Sequence, residues 1–310
     1  MSFLVEAVSS ILEARATQPG RYRNCTLETC PISASVYGYL PNKAANYFFL
    51  VCFAISCLAH FFQGAKSRSW TFMIAFGIGA FGETVGYVGR ILLRKNPFSR
   101  EYLTIMLVPG TVAPAFLAGG IYLTLKHIII IYGRKFSRIA PRLYTWIFVF
   151  ADIASIVIQS LGAVVASRGT NVKRGNDIMM VGLSSQVATL IIFGIMALDV
   201  FLKIRSYRGQ WNASTLALRH TKRFKGLLIA IVIAYTTITI RCIYRIAEMA
   251  GGWRNPIMQD EPAFIVLDSV MCLVACLAMN VFHPGFLFKQ SYATIKAEKN
   301  GHVEEMSEQS

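Results

Sequence analysis

Apolar positions along this 310-residue chain gather into seven long runs, roughly 46–64, 71–93, 102–126, 143–166, 178–203, 226–249 and 263–288. Runs of about 18 to 25 such residues have the length of an α-helix crossing a bilayer. The pattern predicts an all-α integral membrane protein, a seven-transmembrane-helix bundle. It is laid out as a tail over 1–45, a helical domain over 46–288 and a second tail over 289–310. No internal repeat relates one set of three spans to another.

Composition agrees: 55% of residues are hydrophobic and 15% charged, with a mean hydropathy of +0.49. The basic residues then set orientation. Seventeen lysines and arginines fall in the loops after spans 1, 3 and 5 and in the C-terminal tail. Eleven fall on the other side and three arginines lie inside spans. By the positive-inside rule the N-terminus is outside and the C-terminus cytosolic. A net charge of +15 invites a nucleic-acid reading. These charges flank spans, however, and attraction to the anionic inner leaflet accounts for them, so no nucleic-acid partner is expected. "MSFLVEAVSSIL" is too short, and interrupted by Glu6, to read as a cleavable signal peptide. The polar "KAEKNGHVEEMSEQS" ending the chain reads as disordered.

Five of the seven cysteines lie in spans, where they read as small apolar packing. Cys25 and Cys30 lie in the outer tail, an oxidising setting that suits a local disulfide. Beside them the sequon "NCT" makes Asn24 a glycosylation candidate, whereas "NAS" at Asn212 falls in a cytosolic loop and should stay bare.

The informative residues are the polar ones inside the oily runs. In "RCIYRIAEMAGG" (241–252), Arg241, Arg245 and Glu248 stand at i, i+4 and i+7, on one helix face. Span 2 carries Glu83 and Arg90, seven apart; span 4 carries Asp152 and Gln159, also seven apart. Span 5 contributes Gln186 and span 7 Asp268. An ionised group at mid-bilayer costs about 2.5–3.5 kcal/mol on insertion scales, so these side chains must face the bundle interior, pair, or line a wet cavity. With the topology above, most fall in the outer half with Glu83 near the midplane. Two readings follow: a network of polar bonds clamping helices together, or an outward-leaning pocket for a ligand. Interhelical polar bonds add little stability each, which favours the pocket. Gly82 and Gly86 beside Glu83 form a small-xxx-small pair for close helix approach. Pro109 and Pro114 in span 3 release backbone carbonyls that a neighbour or water must satisfy.

Several chemistries lack their signatures. There is no GxxxxGK[ST] loop, no GxSxG elbow, and no HExxH or CxxC spacing around His60, His127 or His283. No nucleotide, metal or haem cofactor is therefore expected, nor an ATP-driven pump within this chain.

Seven ordered segments resemble the fungal RTA1-like family, also called lipid-translocating exporters. They are "YGYLPNKAAN" (37–46), "GETVGYVGR" (82–90), "AP" with "IYLTL" (113–125), "DIASIVIQSLG" (152–162), "GLSSQ" (182–186), "IRCIYRIAE" (240–248) and "LDSVM" with "MNVFHPG" (267–285). The resemblance implies a seven-span fungal membrane protein, most simply of the plasma membrane, handling sphingoid bases or sterol-like amphiphiles and conferring stress resistance. The residues and the resemblance together point to a translocator of amphiphilic lipids or lipid-like toxins. Its partners would be membrane lipids and an amphiphilic small molecule. In such a pocket Glu83, Glu248 or Asp268 could hold an amine, Gln159 and Gln186 could bond hydroxyls, and Arg241 and Arg245 could keep the acids ionised. A seven-span lipid receptor or an intramembrane lipid-modifying enzyme using Glu83, Asp152 or Asp268 are the alternatives. Helix count does not itself imply signalling.

Overall fold

The computed structural model describes residues 25, 27–132, 141–167, 172–206, 221–252 and 255–288. Asn24, Asn212 and the tail over 289–310 lie outside the described residues. Seven helices long and apolar enough to cross a membrane are present, and no strand occurs among the described residues. They are α1 (Lys43–Ser67), α2 (Trp70–Lys95), α3 (Arg100–Tyr132), α4 (Pro141–Ser167), α5 (Val172–Ser206), α6 (Lys222–Ala250) and α7. The last runs through Glu261–Phe264, a π-helical turn at Ile265–Val270, and Met271–Val281.

Each of α1 to α6 outruns its apolar stretch at both ends. α3 continues to Tyr132, which moves Lys126 and His127 from the loop into the helix, and α5 begins six residues earlier than its oily run. Hydropathy marks the part immersed in hydrocarbon. Backbone hydrogen bonds need not stop where the lipid does, and the polar end turns project into the interface.

Ends are set locally. The Asn42 side chain accepts from the Ala45 amide at 3.1 Å and starts α1. Arg68 ends it in the left-handed region (φ 54°), so that only Arg68 and Ser69 separate α1 from α2. Thr221 caps α6 and Asp260 caps α7, accepting from Phe224 and Ala263.

The burial pattern identifies the solvent. On α1, Phe48, Val51, Ile55, Leu58 and Phe62 are exposed, while Asn46, Ser56 and His60 are buried with Phe49 and Phe53. Apolar residues outside and polar ones inside would be a liability in water, but hydrocarbon demands it. Together, the seven apolar helices and this inverted pattern make the protein an integral membrane protein.

α2 packs chiefly against α1 and α3, α4 against α5, and α6 against α7. The α2–α3 contact is close because a glycine stripe on α2 faces the α3 backbone. A Cβ at Gly89 would stand 2.5 Å from the Met106 nitrogen, and one at Gly82 would stand 3.2 Å from the Pro109 carbonyl. The edge of α2 next to this stripe, bearing Glu83, faces α6 and α7. In the segment that precedes α1, Cys25 and Cys30 are joined by a disulfide.

Candidate functional site

Arg241 organises the interior. Its Nη2 lies 3.3 Å from Glu83 Oε1 of α2, its Nε lies 3.0 Å from Asp268 Oδ1 of α7, and Nη2 donates to the Gly110 carbonyl of α3 at 2.6 Å. One guanidinium therefore ties α6 to three other helices. The Gly110 carbonyl is free for it because Pro114, four residues on, has no N–H to offer. Asp268 reaches Arg241 from the π-helical turn of α7, in which one extra residue widens the helix. Nothing in "IVLDSV" signals that turn in the sequence. Glu83 also accepts from the Cys272 thiol at 3.4 Å.

One turn along α6, Arg245 pairs with Glu248 at 2.5 Å. Nearer the end of the bundle, Arg90 pairs with Glu261 at 3.2 Å and donates to the Tyr39 hydroxyl at 3.0 Å. Its guanidinium lies 4.0 Å from the Phe264 ring centroid. The segment preceding α1 folds over this end as a cap. The Asn42 amide donates to Glu261 at 2.7 Å, Arg94 donates to the Pro41 carbonyl at 2.6 Å, and Tyr37 is buried against Tyr39. Burial pushes both tyrosine hydroxyls above their ordinary pKa, so they stay protonated.

Beneath the cap lies a small cavity lined by Glu83, Tyr87, Arg90, Arg241, Arg245 and Asp268, with Gly86, Met106, Gly110 and Phe264. Its volume is about 20 Å³, room for about one water. Among the described residues the ion pairs here join more acids than guanidiniums. Glu83, Glu248, Glu261 and Asp268 are four carboxylates, and Arg90, Arg241 and Arg245 are three guanidiniums. The surplus falls on Glu83 and Asp268, which share Arg241.

Of the nine polar residues singled out in the sequence, five line this cavity and Glu248 stands behind it as the partner of Arg245. The other three stand apart. Gln159 of α4 donates to Gln186 of α5 at 3.0 Å, and Asp152 accepts from the Tyr122 hydroxyl of α3 at 3.0 Å. Sequence reasoning missed Tyr39, Glu261 and Tyr122, which lie in a tail, at a helix start and in an apolar run. The Gly110 carbonyl was signalled by Pro114. Among the described residues no group of three or more His, Cys, Asp or Glu could hold a metal ion. His60 and His283 are buried with ring centroids 6.0 Å apart, and His127 stacks on Phe288.

Comparison with known proteins follows the same residues. The family model described as RTA1 like protein matches residues 76–291. The sphingoid long-chain base transporter RSB1 of Saccharomyces cerevisiae is 32% identical, over 90% of this chain and 81% of its own. The probable lipid transporter atnI of Emericella nidulans is 26% identical, over 81% of this chain and 68% of its own. Protein RTA1 of S. cerevisiae is 24% identical, over 87% of this chain and 91% of its own. No solved structure matches.

Proposed function

The chain belongs to the RTA1-like family, and from that premise we propose that it moves cationic amphiphilic lipids, of the sphingoid long-chain base class, across the plasma membrane. The observation that carries this reading is the unbalanced charge at the cavity. Two acids, Glu83 and Asp268, share one guanidinium, leaving a single negative charge that an ammonium head group neutralises. Relatives named as transporters of such bases and of lipids support the class, and none of the three is named as an enzyme.

The cavity has room for about one water, so a head group enters only when it widens, with the cap over Arg90 lifting. On binding, the amine takes up the contact that Glu83 now shares with Asp268, leaving Arg241 to pair with Asp268 alone. The tail remains among the apolar faces of the helices. Arg245 and Glu248, already paired, shape the wall without adding charge. Gln159, Gln186 and Asp152 are not needed to hold the head group in this state.

The test is transport by the purified protein in liposomes containing a labelled long-chain base. Wild type is expected to carry the label across the bilayer. Glu83→Gln leaves Arg241 with one acid for one cation, and the protein is expected to fold and reach the membrane while base movement falls at least tenfold, the effect of about 1.4 kcal/mol of lost binding. Full transport by Glu83→Gln would reject the amine site. Chemical conversion of the label would point instead to the enzyme alternative.

The reading places the capped end and the N-terminal tail outside, where Asn24 carries a glycan. Glycosidase is expected to shift the gel mobility of wild type and of Asn212→Gln, and to leave Asn24→Gln unmoved. A glycan on Asn212 would invert the orientation.

A further inference from the structure

Glu83, Glu248, Glu261 and Asp268 each have a guanidinium beside them, and among the described residues Asp152 has none. It sits 11 residues into α4, roughly 16 Å from the Pro141 end, and is only 3% exposed. Its Oδ2 accepts from the Tyr122 hydroxyl, and its Oδ1 has no hydrogen-bond partner. Cys242 and Tyr235, both on α6, are titratable neighbours of this pair. Among the described residues no ion pair reaches Asp152. The Tyr122 ring is fully buried between Phe148 and Phe193, at centroid separations of 5.5 and 4.4 Å. Asp152 is buried and lines no part of the cavity described above, and one carboxyl with one hydroxyl offers too few oxygens for a metal cation. A carboxylate cannot stay ionised in such a place without a counter-charge, whereas a neutral carboxylic acid can.

We propose that Asp152 is a proton-binding site, occupied at neutral pH, and that its proton is released and rebound as the protein cycles, coupling lipid movement to a proton gradient. The Oδ1–H bond breaks when the α3–α4 contact opens to water, and the proton passes to that water. It re-forms when the contact closes, with Tyr122 again donating to Oδ2. The coupling rests on the transport reading above, while the proton site itself does not.

Two measurements separate them. Infrared spectra of the purified full-length protein at neutral pH are expected to contain the carbonyl stretch of a protonated carboxyl that moves in D2O. The band should be lost in Asp152→Asn, and retained but shifted in Tyr122→Phe, which keeps the acid and removes its donor. A spectrum without the band, or one unchanged in Asp152→Asn, would overturn the proton site. In liposomes, after subtracting protein-free vesicles because a weak base follows a pH gradient unaided, an imposed gradient should change the wild-type rate of long-chain base movement. In Asp152→Asn the rates with and without the gradient should become equal. A wild-type rate indifferent to the gradient, or a variant that keeps its response, would overturn the coupling. Wild type that moves no long-chain base would overturn both the coupling and the transport reading, and the infrared band would still decide the site.

Discussion

Arg241→Met is expected to be the most damaging single change in the protein. It strands Glu83 and Asp268 in the interior and leaves the Gly110 carbonyl without the donor that replaces the missing Pro114 amide. Removing one partner of a buried ion pair costs about 3–5 kcal/mol, and here two acids lose the same partner. Loss of a monodisperse peak in detergent chromatography, with little protein reaching the membrane, is the expected result. Combining it with Glu83→Gln and Asp268→Asn removes the stranded charges and is expected to restore folding, because coupled sites are non-additive. Transport should not return, since the triple variant has no acid for the amine. A single Arg241→Met that is as stable as wild type would show that the three-way tie carries little energy. Recovery of transport in the triple variant would make the network scaffolding and place the lipid elsewhere.

The second large effect is expected at the cap. Arg90→Ala removes the ion pair to Glu261, the hydrogen bond to Tyr39 and the contact with the Phe264 ring. Charge-assisted hydrogen bonds contribute about 1.5–3 kcal/mol each. Opening of the segment before α1 should become at least about tenfold more frequent, since about 1.4 kcal/mol is a factor of ten. The Asn42 amide, held by Glu261, reports it directly through faster hydrogen exchange. The helices lie beneath the cap, so exchange in α4 and α5 should be unchanged. If the Asn42 amide exchanges as slowly in Arg90→Ala as in wild type, Arg90 does not hold the cap closed.

The seven spans and the inward position of Glu83, Arg90, Asp152, Arg241, Arg245, Glu248 and Asp268 were readable from the chain, because hydrocarbon enforces both. Which polar residues meet was readable only in part. Sequence order and length give depth, and depth correctly grouped Glu83, Arg241 and Asp268. Depth says nothing about azimuth. Gln159 and Gln186 look inward too, but α4 and α5 pack mainly on each other, so these side chains bond to one another rather than line the cavity. Asp152 shares its helix face with Gln159 and meets α3 instead. Tyr39 and Glu261 escaped notice because they lie outside the oily runs, where a polar residue carries no penalty and hence no signal. The π-helical turn escaped it as well, since the extra residue is set by how α7 packs and not by local composition.

The bond between Arg241 and the carbonyl vacated by Pro114 bears on how the sequence is free to drift. A lysine keeps the charge but presents a point ammonium, not a planar fork that reaches an acid on either side and a main-chain oxygen together. The proline is tied in as well: any other residue at 114 brings back an amide that competes for Gly110, and Arg241 then loses one of its three anchors. Positions 83, 114, 241 and 268 lie on four different helices, yet they are one unit of inheritance. A substitution at one alters what is acceptable at the other three, so change in this interior is expected to arrive in concerted steps while the lipid-facing surface varies residue by residue.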